Sequence, residues 1–232
     1  MFALSIWGLL YGAGFYLAEK LSDMLGIYRV ITVFFMLLYL IAFICYSLRH
    51  NKPEYYGICA PDGIRLILPV SAILLIAPLS NLFFTDYSII EMGTAWRFLA
   101  DSIIILFAAF FEELAFRGVL PLLLDKKAGI RVGYGTIISN IIFAVLHIQI
   151  PYASAGILVT HIFIAFSIGL SFSYMKDRTH SIIPAVFLHF LINMSYTGGM
   201  DVFSLYSIIW IIVSAFCLIY VLHFYFKKEI VK

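Results

Sequence analysis

Long apolar runs separated by short polar breaks dominate the chain. Eight runs stand out, near residues 2–18, 27–48, 64–85, 97–124, 134–150, 153–175, 181–197 and 203–226. Each is close to the roughly 20 residues with which a helix crosses a bilayer core. A backbone in lipid must satisfy its own hydrogen bonds, which excludes open sheet, and runs of this length exceed barrel strands. The breaks are RHNKPEYYGICAPDG (49–63), TDYSIIEMGTAW (85–96), DKKAGIRVGYG (125–135), KDRTH (176–180) and the tail FKKEIVK. They collect Gly, Pro, Asp and Lys, residues that stop helices and face water. The connection around Pro151 is short and uncharged, so runs five and six form a tight outside hairpin. The pattern predicts an all-α polytopic membrane bundle of about eight transmembrane helices, one domain over 1–232, with no internal repeat.

Composition sharpens this expectation. Of 232 residues, 63% are hydrophobic and only 12% charged, with a mean hydropathy of +1.03. A soluble domain carries about 25% charged residues, so this chain has too little polar surface to cover a water-facing globule. A net charge of +2 and three scattered cysteines, Cys45, Cys59 and Cys217, exclude nucleic-acid binding, a disordered scaffold and a disulfide or thiolate-metal framework. The amino-terminal run lacks a basic leader and a small-residue cleavage site, so it reads as a first membrane helix and not a signal peptide. With both termini inside, eleven basic residues (Arg49, Lys52, Arg65, Lys126, Lys127, Arg131, Lys176, Arg178, Lys227, Lys228 and Lys232) face the cytoplasm, against Lys20, Arg29 and Arg97 outside. Cytoplasmic loops carry such an excess, which predicts a multi-pass cell-membrane protein with cytoplasmic termini.

One cluster does not belong in lipid. Phe111-Glu112-Glu113-Leu114-Ala115-Phe116-Arg117 lies inside run four, where each ionisable residue costs about 2.5–3.5 kcal/mol unless it pairs or lines a hydrated cavity. Glu113 and Arg117 are four apart and share a helix face, whereas Glu112 points about 100° away. The spacing therefore predicts an internal Glu113–Arg117 ion pair and a surplus Glu112 carboxylate. His147, His189 and Asn193 are the other polar residues of interest within the runs, the last two on one side of their helix. At about 1.5 Å of rise per residue, Glu112 lies about 18 Å from the cytoplasmic end, His147 about 20 Å, His189 about 12–14 Å and Asn193 about 18–20 Å. A shared depth on three helices describes an enclosed polar chamber. Asn140 reads as structural and His161, which matches no motif, as interhelical packing; His50 and His180 fall in or beside loops, and His223 near the end of run eight.

A carboxylate and two imidazoles around a water-accessible cavity are the parts of a hydrolase. Glu112 could act as general base on water, His147 hold that water, and His189 with Asn193 donate to the oxyanion. Glu112, His147 and His189 are equally a donor set for zinc, so a metalloprotease and a metal-free glutamate mechanism both remain open.

Glu112-Glu113-x-x-x-Arg117, Phe143-x-x-x-His147 and His189-x-x-x-Asn193 occur in this order, within a core of about 97–197, and TH-SIIPAVFLHFLIN (179–193) continues the likeness. This ordered triple resembles the CPBP family of intramembrane endopeptidases, also called the Abi or CAAX-protease-like family. The resemblance implies an eight-helix bundle that cleaves a peptide or a membrane-anchored protein. It also implies Glu112, His147, His189 and Asn193 as catalytic, and Glu113 and Arg117 as supporting. Bacterial relatives, which this short chain looks like, are linked to peptide-signal maturation or bacteriocin immunity. The alternative is a non-catalytic or proton-coupled membrane transport or binding protein using the same Glu/His cluster. No HExxH, GxGD or GxSG motif points to another intramembrane protease class.

Overall fold

The computed structural model describes residues 14, 16–18, 20–25, 29–50, 53–84, 95–127, 133–147, 155–195 and 205–230. The described residues contain helices and no strand. In chain order the α-helices are α1 (Val30–His50), α2 (Leu68–Phe84), α3 (Ala95–Glu113), α4 (Leu120–Lys127), α5 (Tyr134–Leu146), α6 (Ala155–Thr179), α7 (Ile183–Ser195) and α8 (Leu205–Ile230). The described parts of runs two to eight fall on helix, while most of the run at 2–18 lies outside the described residues. Two stretches, Ala155–Thr179 and Ser207–Tyr225, are by themselves long and apolar enough to cross a bilayer, with mean hydropathies of 2.0 and 2.3. Val30–Tyr39, Leu68–Ser80, Tyr134–Leu146 and Ile183–Ser195 are apolar but shorter.

Helix α8 packs on α2 and α6, α7 on α3 and α2, and α5 on α4 and α6. The main core joins Val70 and Leu74 of α2, Phe172 and Met175 of α6, and Trp210 and Cys217 of α8. The same helices carry large apolar side chains outward. Phe34, Leu79, Val159, Phe187, Phe216 and Ile219 are all more than half exposed. Helices apolar both inside and outside suit a lipid surround, since water gives no reason to leave so much hydrocarbon on the outer faces.

Run four is not one uniform helix. Between α3 and α4 the backbone widens into a π-helical turn, Leu114–Val119, where the Leu120 N–H reaches back five residues to the Ala115 carbonyl. In that register the next donor, for the Phe116 carbonyl, would come from residue 121, and Pro121 has no N–H. Ser139 of α5 supplies it: its Oγ donates to the Phe116 carbonyl at 2.6 Å. Gly118 lies within the same turn, where a Cβ would come 2.7 Å from the Tyr56 carbonyl, so only glycine lets the 3₁₀ turn Pro53–Tyr56 approach. The start of α5 is capped from across the loop, Asp125 Oδ1 accepting the Gly135 N–H at 3.0 Å.

The entry to α7 is laced to the loop after α1. The Ile182 N–H donates to the Gly57 carbonyl at 2.9 Å, the Asp62 N–H to the Thr179 carbonyl at 3.0 Å, and Ser181 Oγ to the Cys59 carbonyl at 2.6 Å. These bonds fix the height at which α7 starts, and with it the level of His189.

Candidate active site

The end of α3, just before the π turn, presents two adjacent acids to different surroundings. Glu113 and Arg117 are wholly buried and paired, Nη1 donating to Oε1 at 2.8 Å. The pair anticipated from the four-residue spacing is therefore present. Arg117 is held on its other sides too. Its Nη2 donates to Asn140 Oδ1 at 3.3 Å, and its guanidinium lies over the Phe143 ring at 4.1 Å and nearer the edge of contact with Phe172 at 5.5 Å. Asn140 is in turn fixed by donating to the Thr136 carbonyl at 2.8 Å and to Ser173 Oγ at 2.9 Å, which is the structural role expected of it.

Both imidazoles are oriented through Nδ1. His147 ends α5, and its Nδ1 lies 2.8 Å from the Phe143 carbonyl one turn back. A carbonyl only accepts, so this nitrogen carries the proton. His189 Nδ1 lies 2.8 Å from Glu113 Oε1, the oxygen already engaged by Arg117, and an ionised carboxylate likewise makes that nitrogen the donor. The ring of Phe143 stands beside both, at 4.1 Å from His147 and 6.0 Å from His189 between centroids. The Phe-x-x-x-His spacing thus has a physical content: one phenyl packs a guanidinium and two imidazoles while its own carbonyl sets a tautomer.

With Nδ1 occupied, each Nε2 is turned toward Glu112. His147 Nε2 is 3.4 Å and His189 Nε2 3.6 Å from Glu112 Oε2, and the three atoms lie within 4.8 Å of one another. In the neutral imidazoles these would be three lone pairs facing one another. Such a cluster needs a proton, a water or a cation among its members. The donor set fits zinc: one carboxylate, two imidazoles, and an oxygen behind each imidazole to hold its Nδ1–H. The Glu112 and His147 side chains are 35% and 37% exposed, against 5% for His189 and none for Glu113 or Arg117. Reagents therefore meet Glu112 and His147, while His189, Glu113 and Arg117 back them from the protein side.

A cavity of about 170 Å³ opens beside this cluster, lined by His147, His189 and Asn193 together with Phe143, His161, Ile164, Ile168, Ile192 and Trp210. Asn193 thus shares a wall with both histidines, one turn beyond His189 on α7. His161, read as interhelical packing, lies on the cavity wall, with its Nε2 buried and without a hydrogen-bond partner. His180 and His223 are exposed, His180 beside a loop and His223 within α8.

Gly169 of α6 went unread in the sequence, and it is what admits the arginine. A Cβ there would fall 2.7 Å from both Arg117 Nη2 and Asn140 Oδ1 and 3.1 Å from Phe143. The substitution Gly169→Ala is expected to push the guanidinium off Asn140 and to cost about 1–3 kcal/mol, as overpacked cores do. A lowered unfolding midpoint of the purified chain checks it; an unchanged midpoint would mean that the guanidinium is not confined by α6.

Taken together, an all-helical apolar bundle that buries one ion pair and aims a carboxylate and two imidazoles at a common point defines a membrane-type protein with a clustered Glu/His centre. Comparison with known families agrees with this class. Residues 93–195 match the family described as type II CAAX prenyl endopeptidase Rce1-like. The match spans α3 to α7 and so contains all three motifs. No curated protein and no solved structure gave a match.

Proposed function

We propose that the chain is an intramembrane endopeptidase that cleaves a peptide or a membrane-anchored protein by attack of activated water. The observation that carries this reading is the convergence of Glu112 Oε2, His147 Nε2 and His189 Nε2 within 4.8 Å, beside a cavity that also holds Asn193. Water held between Glu112 and His147 gives a proton to the Glu112 carboxylate as its oxygen bonds to the substrate carbonyl carbon. The carbonyl oxygen becomes an oxyanion facing Asn193 and His189, whose ring Glu113 holds through Nδ1. Glu112 then returns its proton to the leaving nitrogen as the C–N bond breaks, giving a free amine and a carboxylic acid. Where zinc is bound by Glu112, His147 and His189, it supplies Lewis acidity to the same water and carbonyl. Eight crossings with both termini in the cytoplasm follow from the run lengths and the basic-residue bias, and put the centre near mid-bilayer.

The test uses purified full-length protein and an internally quenched peptide library. Cleavage by the wild type is expected, with loss in Glu112→Ala, His147→Ala and His189→Ala; wild-type cleavage by all three variants ends the assignment. Metal analysis before and after chelation separates the two mechanisms. Activity that survives removal of bound metal identifies glutamate-activated water, whereas parallel loss of zinc and activity identifies the three side chains as ligands.

A further inference from the structure

The cavity beside the Glu112 cluster is lined by His147, His189 and Asn193 and, for the most part, by apolar side chains, among them Ile164, Ile168, Ile192 and Trp210. His161 lines it too. It stands on α6 three residues before Ile164 and seven before Ile168, spacings that share a helix face. Its Nε2 is shielded from solvent and has no hydrogen-bond partner. A buried ring nitrogen is destabilising without a partner, and aliphatic neighbours offer none. Nor does the hydrolytic centre use this ring, whose place in water activation is already filled by His147.

An extended peptide that brings its carbonyl to Glu112 carries neighbouring main-chain groups into this largely apolar cavity. Those N–H and C=O groups lose their water on entry and need a replacement partner. A neutral imidazole offers one N–H and one lone pair, and so can serve either group. We infer that His161 is a substrate-binding residue which hydrogen-bonds one main-chain group of the bound peptide next to the scissile bond. The inference rests on the endopeptidase reading.

The experiment compares wild type, His161→Leu and His161→Gln on quenched peptides and on the same peptides with single backbone amides replaced by esters, one position at a time. An ester removes the N–H and weakens the carbonyl acceptor, so it weakens a hydrogen bond made in either direction. One ester position is expected to raise KM about tenfold in the wild type, the scale of one lost hydrogen bond. That penalty disappears in His161→Leu and is kept in His161→Gln, which retains a polar atom; kcat changes much less than KM. Should His161→Leu fail to fold, His161→Phe keeps a ring without a polar atom and takes its place. An ester penalty that is the same in wild type and in the apolar variant overturns the inference and leaves the endopeptidase reading standing, as does a wild type indifferent to every ester. A folded wild type that cleaves no peptide overturns both.

Discussion

Replacing Glu112 by Gln is expected to abolish peptide cleavage while leaving the folded protein unchanged. The amide keeps the shape of the carboxylate but cannot take a proton from water, and a positioned general base contributes about 10²–10⁴-fold to rate. Little stability is at stake. The Glu112 side chain is 35% exposed and its contacts to the two Nε2 atoms are 3.4 and 3.6 Å, longer than a strong hydrogen bond. The neighbouring substitution Glu113→Gln is expected to lower the unfolding midpoint as well, because Glu113 is fully buried and its Oε1 serves Arg117 and His189 at 2.8 Å each. Two adjacent acids thus separate into one exposed to reagents and one that holds the machinery. The pair of variants is read by kcat on a quenched peptide together with the thermal unfolding midpoint. Glu112→Gln with full activity, or Glu112→Gln that unfolds while Glu113→Gln does not, would show the assignment of the two acids to be reversed.

The parts of this division that could be read without coordinates are those written in local spacing. Glu113 and Arg117 share a face at four residues apart, and the surplus of one carboxylate follows from counting charges. The meeting of Glu112 with His147 and His189 was readable from their common depth and from the ordered motifs, because membrane helices run nearly parallel and make depth a usable coordinate. Rotation about the helix axis was not readable. Helix α6 is apolar on nearly every side, so its sequence gives no direction in which His161 should point, and the ring turned out to face the cavity. The π turn was hidden for a related reason. Run four looks continuous, and the one local sign of irregularity, Pro121, acquires meaning only when Ser139 is found donating to the carbonyl that proline leaves without a partner. Gly169 is likewise a consequence of tertiary proximity, since the atoms it makes room for belong to α5 and to the π turn.

Arg117 offers the sharpest separation of stability from chemistry. The substitution Arg117→Met removes one member of a buried pair and strands Glu113, and such a loss is expected to cost about 3–5 kcal/mol, enough to unfold most of the chain under mild denaturing conditions. Pairing it with Glu113→Leu removes the stranded charge as well. Apolar side chains of similar volume commonly match or exceed the stability of the buried pair they replace, so the double variant should recover a midpoint near that of the wild type. Phe143, stacked on the guanidinium at 4.1 Å, supplies an apolar surface for methionine to pack on. Activity should not return. His189 Nδ1 loses the Glu113 oxygen that holds its proton at 2.8 Å, leaving the ring free to change tautomer and orientation. Outer partners of this kind are worth about 10–100-fold where they have been removed from histidine centres. Unfolding midpoint and kcat measured on the two single variants and the double variant decide the matter. Recovery of both quantities in the double variant would reduce Glu113 to a counter-ion for Arg117, whereas recovery of the midpoint alone identifies it as the residue that orients His189.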